Sequence, residues 1–456
     1  MKTAAAQMTG GACLTKEDVK RLIKENGIEM IRFEFSDLNG INRGKLLPVT
    51  MIDEVLEHGI AFCAVILAIG FDNHISDVGG LSEYNYDDMV VKADPSTFLI
   101  LTHLEKTALL LGDIYYHGKP MRQSPRLFLK NMIEKYNALG LNPITASELE
   151  FYLYKRVGDK YDQYTNKAYN CYTSNMRIDP SGFLYQLTKT LKDMNFDILY
   201  MNHEYYPGQY EYNWSHGPAL DNCDQTFNFK GILKDIAEQN DLLATFMAKP
   251  ANNVGGSGCH FHISLGDLKT GENKFADPSD PVGIADLMKY FVAGVLKHAR
   301  ALTALLAPTI NCYKRYIPDS FAPCFIGWGY DNRTTFVRIP AERGKATRVE
   351  VRSASAAANP YLAVAGILAA GLDGITNKLE PPALITTDLY HDTSVQTNFI
   401  PRSLYRSLEE LKNDEWLKEM AGEDLINNFV ALKSYEVECY TNYVTEWEWE
   451  TYSYHI

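Results

Sequence analysis

The 456-residue sequence contains no apolar stretch long enough to cross a bilayer. Its longest apolar run, AFCAVILAIGF at 61–71, is roughly half of what a spanning helix needs. The amino terminus, MKTAAAQMTGGACLTKEDVK, lacks the apolar centre of a signal peptide. Eight cysteines (Cys13, Cys63, Cys171, Cys223, Cys259, Cys312, Cys324, Cys439) are scattered without a CxxC pair. That usage fits reduced thiols rather than a disulfide framework or a zinc ribbon, and with the missing leader it predicts a cytoplasmic protein. Positive charge is also in deficit, with 44 Lys+Arg against 57 Asp+Glu and a net charge of -13. The sign argues against nucleic acid or an anionic membrane as the principal partner. Internal repeats, low-complexity tracts and long linkers are absent too.

What is present is ordinary globular composition, 46% hydrophobic and 22% charged. The length exceeds what one hydrophobic core usually serves, so two domains are expected. LTKEDVKRLIKENG opens with a capping threonine and stops at a glycine, which predicts a helix over 14–26. IEMIRFEFSD and GKLLPVT flank the turn LNGINRG as a hairpin, and further short strands lie within 90–117. These predict a small α+β domain over 1–118 and a larger one over 119–456 that begins with the helix SPRLFLKNMIEKYNALG. In the larger part, strands at 144–154, 258–265, 335–340 and 346–352 alternate with helices at 182–194, 228–248, 283–307 and 359–377.

Four clusters carry chemistry. In ITASELEFYLY, alternation places Glu148, Glu150, Tyr152 and Tyr154 on one strand face and Leu149, Phe151 and Leu153 on the other. Neighbouring acids on one face cost free energy unless a cation neutralises them, although an isolated pair also reads as an exposed strand face. NHEYYPGQYEYNW sets Glu204, Gln209 and Glu211 around a Pro-Gly turn, which alone reads as a surface turn. The two segments together supply four carboxylates, the ligand type that Mg²⁺ or Mn²⁺ prefers.

GGSGCHFHISL puts His260, His262 and Ser264 on one face and Cys259 on the other. It lacks the GK[ST] of a phosphate loop, and Cys259 points away from the imidazoles as a zinc site would not allow. A hydrogen-bonded core histidine pair is the plain alternative; beside carboxylates, an imidazole favours Mn²⁺ as well as Mg²⁺. The fourth cluster is NCYKRYIPDSFAPCFIGWGYDNRTTFVRIPAERGKATRVEVRSASAAANPYL. Here Arg348, Glu350 and Arg352 alternate along one face, with Arg315, Arg333 and Arg338 nearby. A solvated basic surface is the alternative, but Trp328, the prolines and the β-branched neighbours make the stretch look buried. Buried guanidiniums need anions, and their planar forks match phosphate and carboxylate oxygens. Acids that hold cations beside arginines that hold an anion are the ingredients of phosphoryl transfer from a nucleotide.

The motifs ExE, HExxPGQxE, KP…GSGxHxHxS, NxYKRxxPxxxAP…NR…RIP and RxExR…ANPYL occur in the order of the glutamine synthetase superfamily. The chain resembles its type I bacterial form from the first hairpin onward. The resemblance implies a β-grasp N-terminal domain, a catalytic domain with an open antiparallel β-barrel flanked by helices, and hexameric rings stacked as a homododecamer with active sites between subunits. It implies one metal held by Glu150, Glu204 and Glu211 and a second by Glu148, His260 and Glu350. ATP would meet His262, Ser264, Arg338 and Arg348. Glutamate would meet Arg315, Gly256 and Arg352, and Arg333 with Arg352 would stabilise the transferring phosphoryl group. The implied substrates are ATP, L-glutamate and an amine.

The sequence departs from the family where the amine binds. True glutamine synthetases carry a glutamate two residues before the proline of the AP pair; DSFAP places Phe321 there. FCAVI puts Cys63 and Ile66 where the family offers an aspartate and a serine to the ammonium site, and the asparagine of the family's NGSG loop is Gly255. A phenyl ring in place of a carboxylate suits apolar carbon better than a small desolvated cation. The chain is therefore expected to resemble the γ-glutamyl-amine ligase branch, with an alkyl or aromatic monoamine as acceptor. The alternatives are an ammonium-using glutamine synthetase, a γ-glutamylpolyamine synthetase, and an inactive regulatory or structural assembly. Tyr390 in TTDLYHD sits about where some family members are adenylylated, and its weakly matched surroundings read as a plain surface tyrosine.

Overall fold

The computed structural model describes residues 14–76, 86–165, 168–392, 394–395 and 398–456, so Cys13 lies outside the described residues. Helix α1 (Lys16–Asn26) starts at a reciprocal capping box between Thr15 and Asp18 and ends at Gly27, whose φ of 60° needs a residue without Cβ strain. It covers a seven-stranded sheet: β1 (Met30–Ser36), β2 (Asn42–Pro48), β3 (Ile60–Cys63), β4 (Asp88–Ala93), β5 (Leu99–Ile100), β6 (Thr107–Tyr116) and β7 (Lys119–Pro120), with helix α2 (Ile52–Glu57) after β2. The path β2-β1-β6-β4-β3 has a parallel β1–β6 pair at its centre and antiparallel neighbours, which is the β-grasp arrangement. Val19, Phe33, Val55, Val91 and Leu110 form its core.

Helix α3 (Pro125–Ala138), capped by Ser124, leads into the larger sheet. This ten-stranded sheet comprises β8 (Leu141–Val157), β9 (Lys160–Gln163), β10 (Ile198–His203), β11 (Gln209–Trp214), β12 (Gly217–Pro218), β13 (Leu242–Thr245), β14 (Cys259–Asp267), β15 (Phe325–Tyr330), β16 (Thr335–Ile339) and β17 (Val349–Val351). Its path is β10-β11-β8-β14-β17-β16-β15, and it curls into the expected half-barrel. One pair departs from the antiparallel expectation: β15 and β16 run parallel, joined by the four-residue connection 331–334, in which Asp331 takes a φ of 48°.

Helices α4 (Phe183–Asp193), α5 (Ala219–Glu238) and α6 (Asp286–Lys297) pack against the sheet, and α7 (Ala299–Leu306) and α8 (Pro360–Asn377) pack on α6. The expected helix at 228–248 instead begins at Ala219 and ends before Asp241, which takes a φ of 54°. Leu242–Thr245 then pairs with β8 as β13. The expected helix at 283–307 is two helices, broken at His298, whose imidazole hydrogen-bonds Asp373 and Asp414. Helices α9 (Leu404–Lys412), α10 (Glu415–Ala421), α11 (Glu423–Thr441) and α12 (Glu446–Tyr452) complete the chain. Among the described residues no helix is long and apolar enough to cross a membrane, and the described cysteines are free thiols.

Buried polar contacts tie the two sheets' layers together. Arg126 of α3 grips Asp224 of α5 with two nitrogens and also reaches Asp94 and Asp113 of the first sheet's segment. Asn359 caps α8 through its Oδ1 and donates through its amide to Ser36 and to the carbonyl of Asp37. The ANPYL motif thus both starts a helix and anchors the N-terminal hairpin.

Candidate active site

The site lies along one face of the larger sheet, and register brings its parts together. Strand β8 supplies Glu148 and Glu150, with Leu149, Phe151 and Leu153 in the core behind them. Antiparallel pairing sets Glu211 of β11 opposite Glu150, His260 of β14 opposite Glu148, and His262 opposite Glu350 of β17. Arg338 of β16 in turn faces Glu350. Cys259 is buried in the core, away from both imidazoles. Five of the six expected metal ligands, together with His262 and Arg338, thus become neighbours through strand pairing alone.

At the β8–β11 end the charges are one-sided. Glu150 accepts hydrogen bonds from Gln209 Nε2 and the Gly258 amide, both at 2.9 Å. Burial, and then the nearby Glu204, push its carboxyl up to about 7. Burial and the neighbouring acids Glu148, Glu150 and Glu204 raise Glu211 well above the usual carboxylate range, and burial raises Glu204 as well. Asn213 and Asn202 each donate to one of these acids at 2.7 Å, to Glu211 and Glu204 respectively, fixing their carboxylates without adding charge.

At the β14–β17 end the chain neutralises itself. Glu148 receives His260 Nδ1 at 3.2 Å and His262 Nε2 at 2.9 Å, and these bonds outweigh burial to hold it well below its ordinary value. Glu350 is fully buried between Arg338 and Arg352; burial raises it, yet Arg352 and the two histidines bring it down to about 2. Burial, followed by Arg352, lowers His260 to about 4, which leaves a neutral imidazole at neutral pH.

These groups fit hard divalent cations. Ligand atoms of Glu148, Glu211 and His260 lie within 4.8 Å of one another, as do those of Glu148, His262 and Glu350. Buried oxygen ligands of like charge with one or two imidazoles are the donor set such cations take. The grouping differs from the one the family resemblance implies: Glu150 and Glu204 stand outside both sets, and His262 joins the second.

The arginines are less alike than their sequence suggests. Arg315 is buried and spends its guanidinium on the carbonyls of Arg352, Ser353 and Ala354. Arg352 bonds Glu350 and the carbonyl of Arg333, while Arg338 bonds Asp331 as well as Glu350. Arg348 is half-buried and donates to His262 Nδ1 at 3.1 Å and to Glu342. Arg333 is exposed, contrary to the expectation of a uniformly buried stretch, because it sits in the open connection between β15 and β16. Ser264 follows on the same face of β14, half-buried.

Gly256 lies against Arg315, where a Cβ would come within 2.3 Å of the arginine Cγ. Phe321 is 58% exposed, adopts a φ of 60°, and packs its ring on Tyr205 with centroids 5.7 Å apart. Cys63 and Ile66 are half-buried in the first sheet's layer; Ile66 packs on that core and the Cys63 thiol donates to the carbonyl of Tyr86. Within this single chain they do not join Phe321. Tyr390 is not the plain surface tyrosine expected: it is half-buried and its hydroxyl donates to the carbonyl of Ala322 at 2.8 Å.

Several residues gained a role only in the structure. Asn202 and Asn213 stand two positions from Glu204 and Glu211, so the period-two alternation already placed them on the same face. Gln209 bridges Glu150 and the Gly256 carbonyl at 2.9 and 3.0 Å, and accepts from Tyr152, which also donates to Gly255. Nothing in the local sequence marks Asp331 or Glu342 as arginine partners.

Comparison with known proteins agrees with this geometry. Residues 122–452 match the family described as glutamine synthetase, catalytic domain. The glutamine synthetase of Staphylococcus aureus (strain Mu50 / ATCC 700699) is 35% identical over 461 residues, covering 96% of this chain and 98% of its own. That of Thermotoga maritima is 35% identical over 464 residues, covering 97% and 100%. Among solved structures, apo GmaS without ligand superposes with a TM-score of 0.85 at 31% identity, covering 95% and 98%. A GmaS/ADP complex gives 0.86 at 30% identity, covering 96% and 99%. Matched by fold and over nearly its whole length, the chain belongs to the glutamine synthetase family and is a carbon–nitrogen ligase that uses ATP.

Proposed function

We propose that the protein joins the γ-carboxyl of L-glutamate to a primary organic monoamine, with ATP converted to ADP and phosphate. The observation that carries this reading is Phe321, whose ring stands where an ammonium-using site would need a carboxylate. The likeness to GmaS supports γ-glutamyl-amine ligation, while the curated relatives are named glutamine synthetase.

In this reading Arg315 and the Gly256 loop hold glutamate. His262, Ser264, Arg338 and Arg348 hold ATP. Glu150, Glu204 and Glu211 would hold one Mg²⁺ or Mn²⁺, and Glu148, His260 and Glu350 a second. When bound, such ions supply positive charge that offsets the phosphate oxygens. The γ-carboxylate oxygen attacks the terminal phosphorus and ADP leaves, giving γ-glutamyl phosphate. Arg333 and Arg352 stabilise the transferring group. The amine nitrogen then attacks the acyl carbon, phosphate leaves, and the nitrogen gives up a proton. Phe321 keeps this pocket apolar. The working unit is a ring-forming homo-oligomer in which Cys63 and Ile66 of a neighbouring subunit approach Phe321. The assembled enzyme works in the cytoplasm.

The test is phosphate release from glutamate, ATP and Mg²⁺ with a panel of amines. An organic amine should give the highest kcat/KM, and ammonium as the best acceptor would refute the proposal. Phe321→Glu should shift preference toward ammonium by tenfold or more, on the order of 1.4 kcal/mol of differential transition-state binding.

A further inference from the structure

Beside Glu204 and the Gly255–Gly256 loop, four aromatic side chains meet, of which the chemistry above uses only Phe321. Tyr205 and Tyr206 follow Glu204 directly, Tyr169 approaches from the segment after β9, and Phe321 from the connection before β15. Their centroids lie 5.4 Å apart for Tyr205–Tyr206, 6.0 Å for Tyr169–Tyr205, 5.9 Å for Tyr169–Tyr206 and 5.7 Å for Tyr205–Phe321. They are not core: Tyr169 is 65% exposed, Tyr205 47% and Phe321 58%.

Two contacts join this cluster to the reacting centre. The Tyr206 ring lies so close over Gly255 that a Cβ there would meet it at 2.4 Å. Thus the glycine in that loop is what lets the ring reach the glutamate side. At the other end, the carbonyl of Phe321 accepts from Arg352 Nη2 at 3.5 Å. The rings therefore run outward from the acyl-transfer site.

Their spacing decides what they hold. Rings that share an ammonium stand on opposite sides of it, each centroid up to about 6 Å from the charge. Rings whose centroids are 5.4–6.0 Å apart are in direct contact, with no room for a cation between them. The rings are tilted 47–63° to one another, so together they form a continuous aromatic wall whose exposed faces and edges suit another apolar ring packed tilted or edge-on.

Resting on the ligase reading above, we propose that Tyr169, Tyr205, Tyr206 and Phe321 form the acceptor subsite and that the acceptor is a primary amine bearing an aromatic ring. The ring packs against Tyr205 and Phe321, and the nitrogen points inward past Glu204 toward the acyl carbon.

The experiment measures kcat/KM for phosphate release with ammonium, methylamine, aniline, benzylamine and phenethylamine, using the full-length protein with glutamate, ATP and Mg²⁺. At least one of the three ring-bearing amines should exceed methylamine by tenfold or more. Tyr205→Ala should lower kcat/KM for that amine tenfold or more while changing it less than threefold for methylamine, with the KM values for ATP and glutamate unchanged. Tyr205→Phe should restore the ring preference. Methylamine as the best acceptor would overturn this inference and leave the ligase reading intact. Ammonium as the best acceptor would overturn both. Equal losses for methylamine and the ring-bearing amine in Tyr205→Ala would remove the aromatic wall from substrate recognition.

Discussion

The two ends of the catalytic sheet face the same problem, buried carboxylates, and solve it differently. At the β14–β17 end Glu350 and Glu148 are matched by Arg338, Arg352, His260 and His262 from the chain itself. At the β8–β11 end burial and neighbouring acids raise Glu150, Glu204 and Glu211 despite Arg315 and Arg352, and their side-chain hydrogen-bond donors, Gln209, Asn202 and Asn213, bring no charge. At the first end the chain's own groups already hold the acids before any cation binds; at the second the charge balance waits on bound cations.

The largest expected effect breaks the self-neutralised end. Glu350→Gln leaves Arg338 and Arg352 without their shared anion at a fully buried position, and removing one partner of such a group costs about 3–5 kcal/mol. A fall of that size in the unfolding free energy from denaturant titration, together with loss of turnover, is expected; unchanged stability would show that the arginines find other partners.

Next comes the end that awaits cations. Adding Mn²⁺ to the metal-free protein at 100 times its Kd should stabilise it by about 2.7 kcal/mol, read as a rise in melting temperature. In Glu211→Gln the rise should shrink. A full rise in that variant would place the ion elsewhere.

His298 sharpens the comparison from outside the site, because there an acid pair, Asp373 and Asp414, carries an internal imidazole, with Lys297 also on Asp373. Burial opposes the imidazolium, but the two aspartates win and raise His298 above its ordinary value. Stability from a raised histidine is full below the unfolded value of about 6.5 and is lost as pH rises through the higher folded value. His298→Gln should therefore cost about 1.5–3 kcal/mol at pH 6 and progressively less toward pH 8. A cost independent of pH in denaturant titrations would rule the charge out.

The smallest effect has the opposite sign. With metals chelated, Glu211→Gln should stabilise the protein by about 1 kcal/mol, since it relieves like-charge repulsion without removing a cation. A loss of stability in chelator would mean that Glu211 is already neutralised.

Much of the site was legible because strands repeat every two residues. Once Glu148 and Glu150 were read on one face of β8, and His260, His262 and Ser264 on one face of β14, their pairing needed only register. The helices α1, α3 and α8 were equally legible, each announced by a capping residue and a proline or glycine. The helix expected at 228–248 overran its C-terminal end because the stop is Asp241 in a left-handed conformation, a role sequence assigns more readily to glycine. Tyr390 looked exposed in its polar surroundings, and only the approach of the loop at Ala322 gave its hydroxyl a partner.

By itself the sequence determined which side chains share a face and which residues open the helices. Those facts follow from the fixed periods of strand and helix. Only the tertiary structure decided which acids the chain neutralises and which it leaves crowded, that Arg333 faces solvent while Arg315 is held by carbonyls, and that four rings from three segments meet beside Gly255. Electrostatic balance and ring contact depend on distances between segments far apart in the chain, and no local period encodes them.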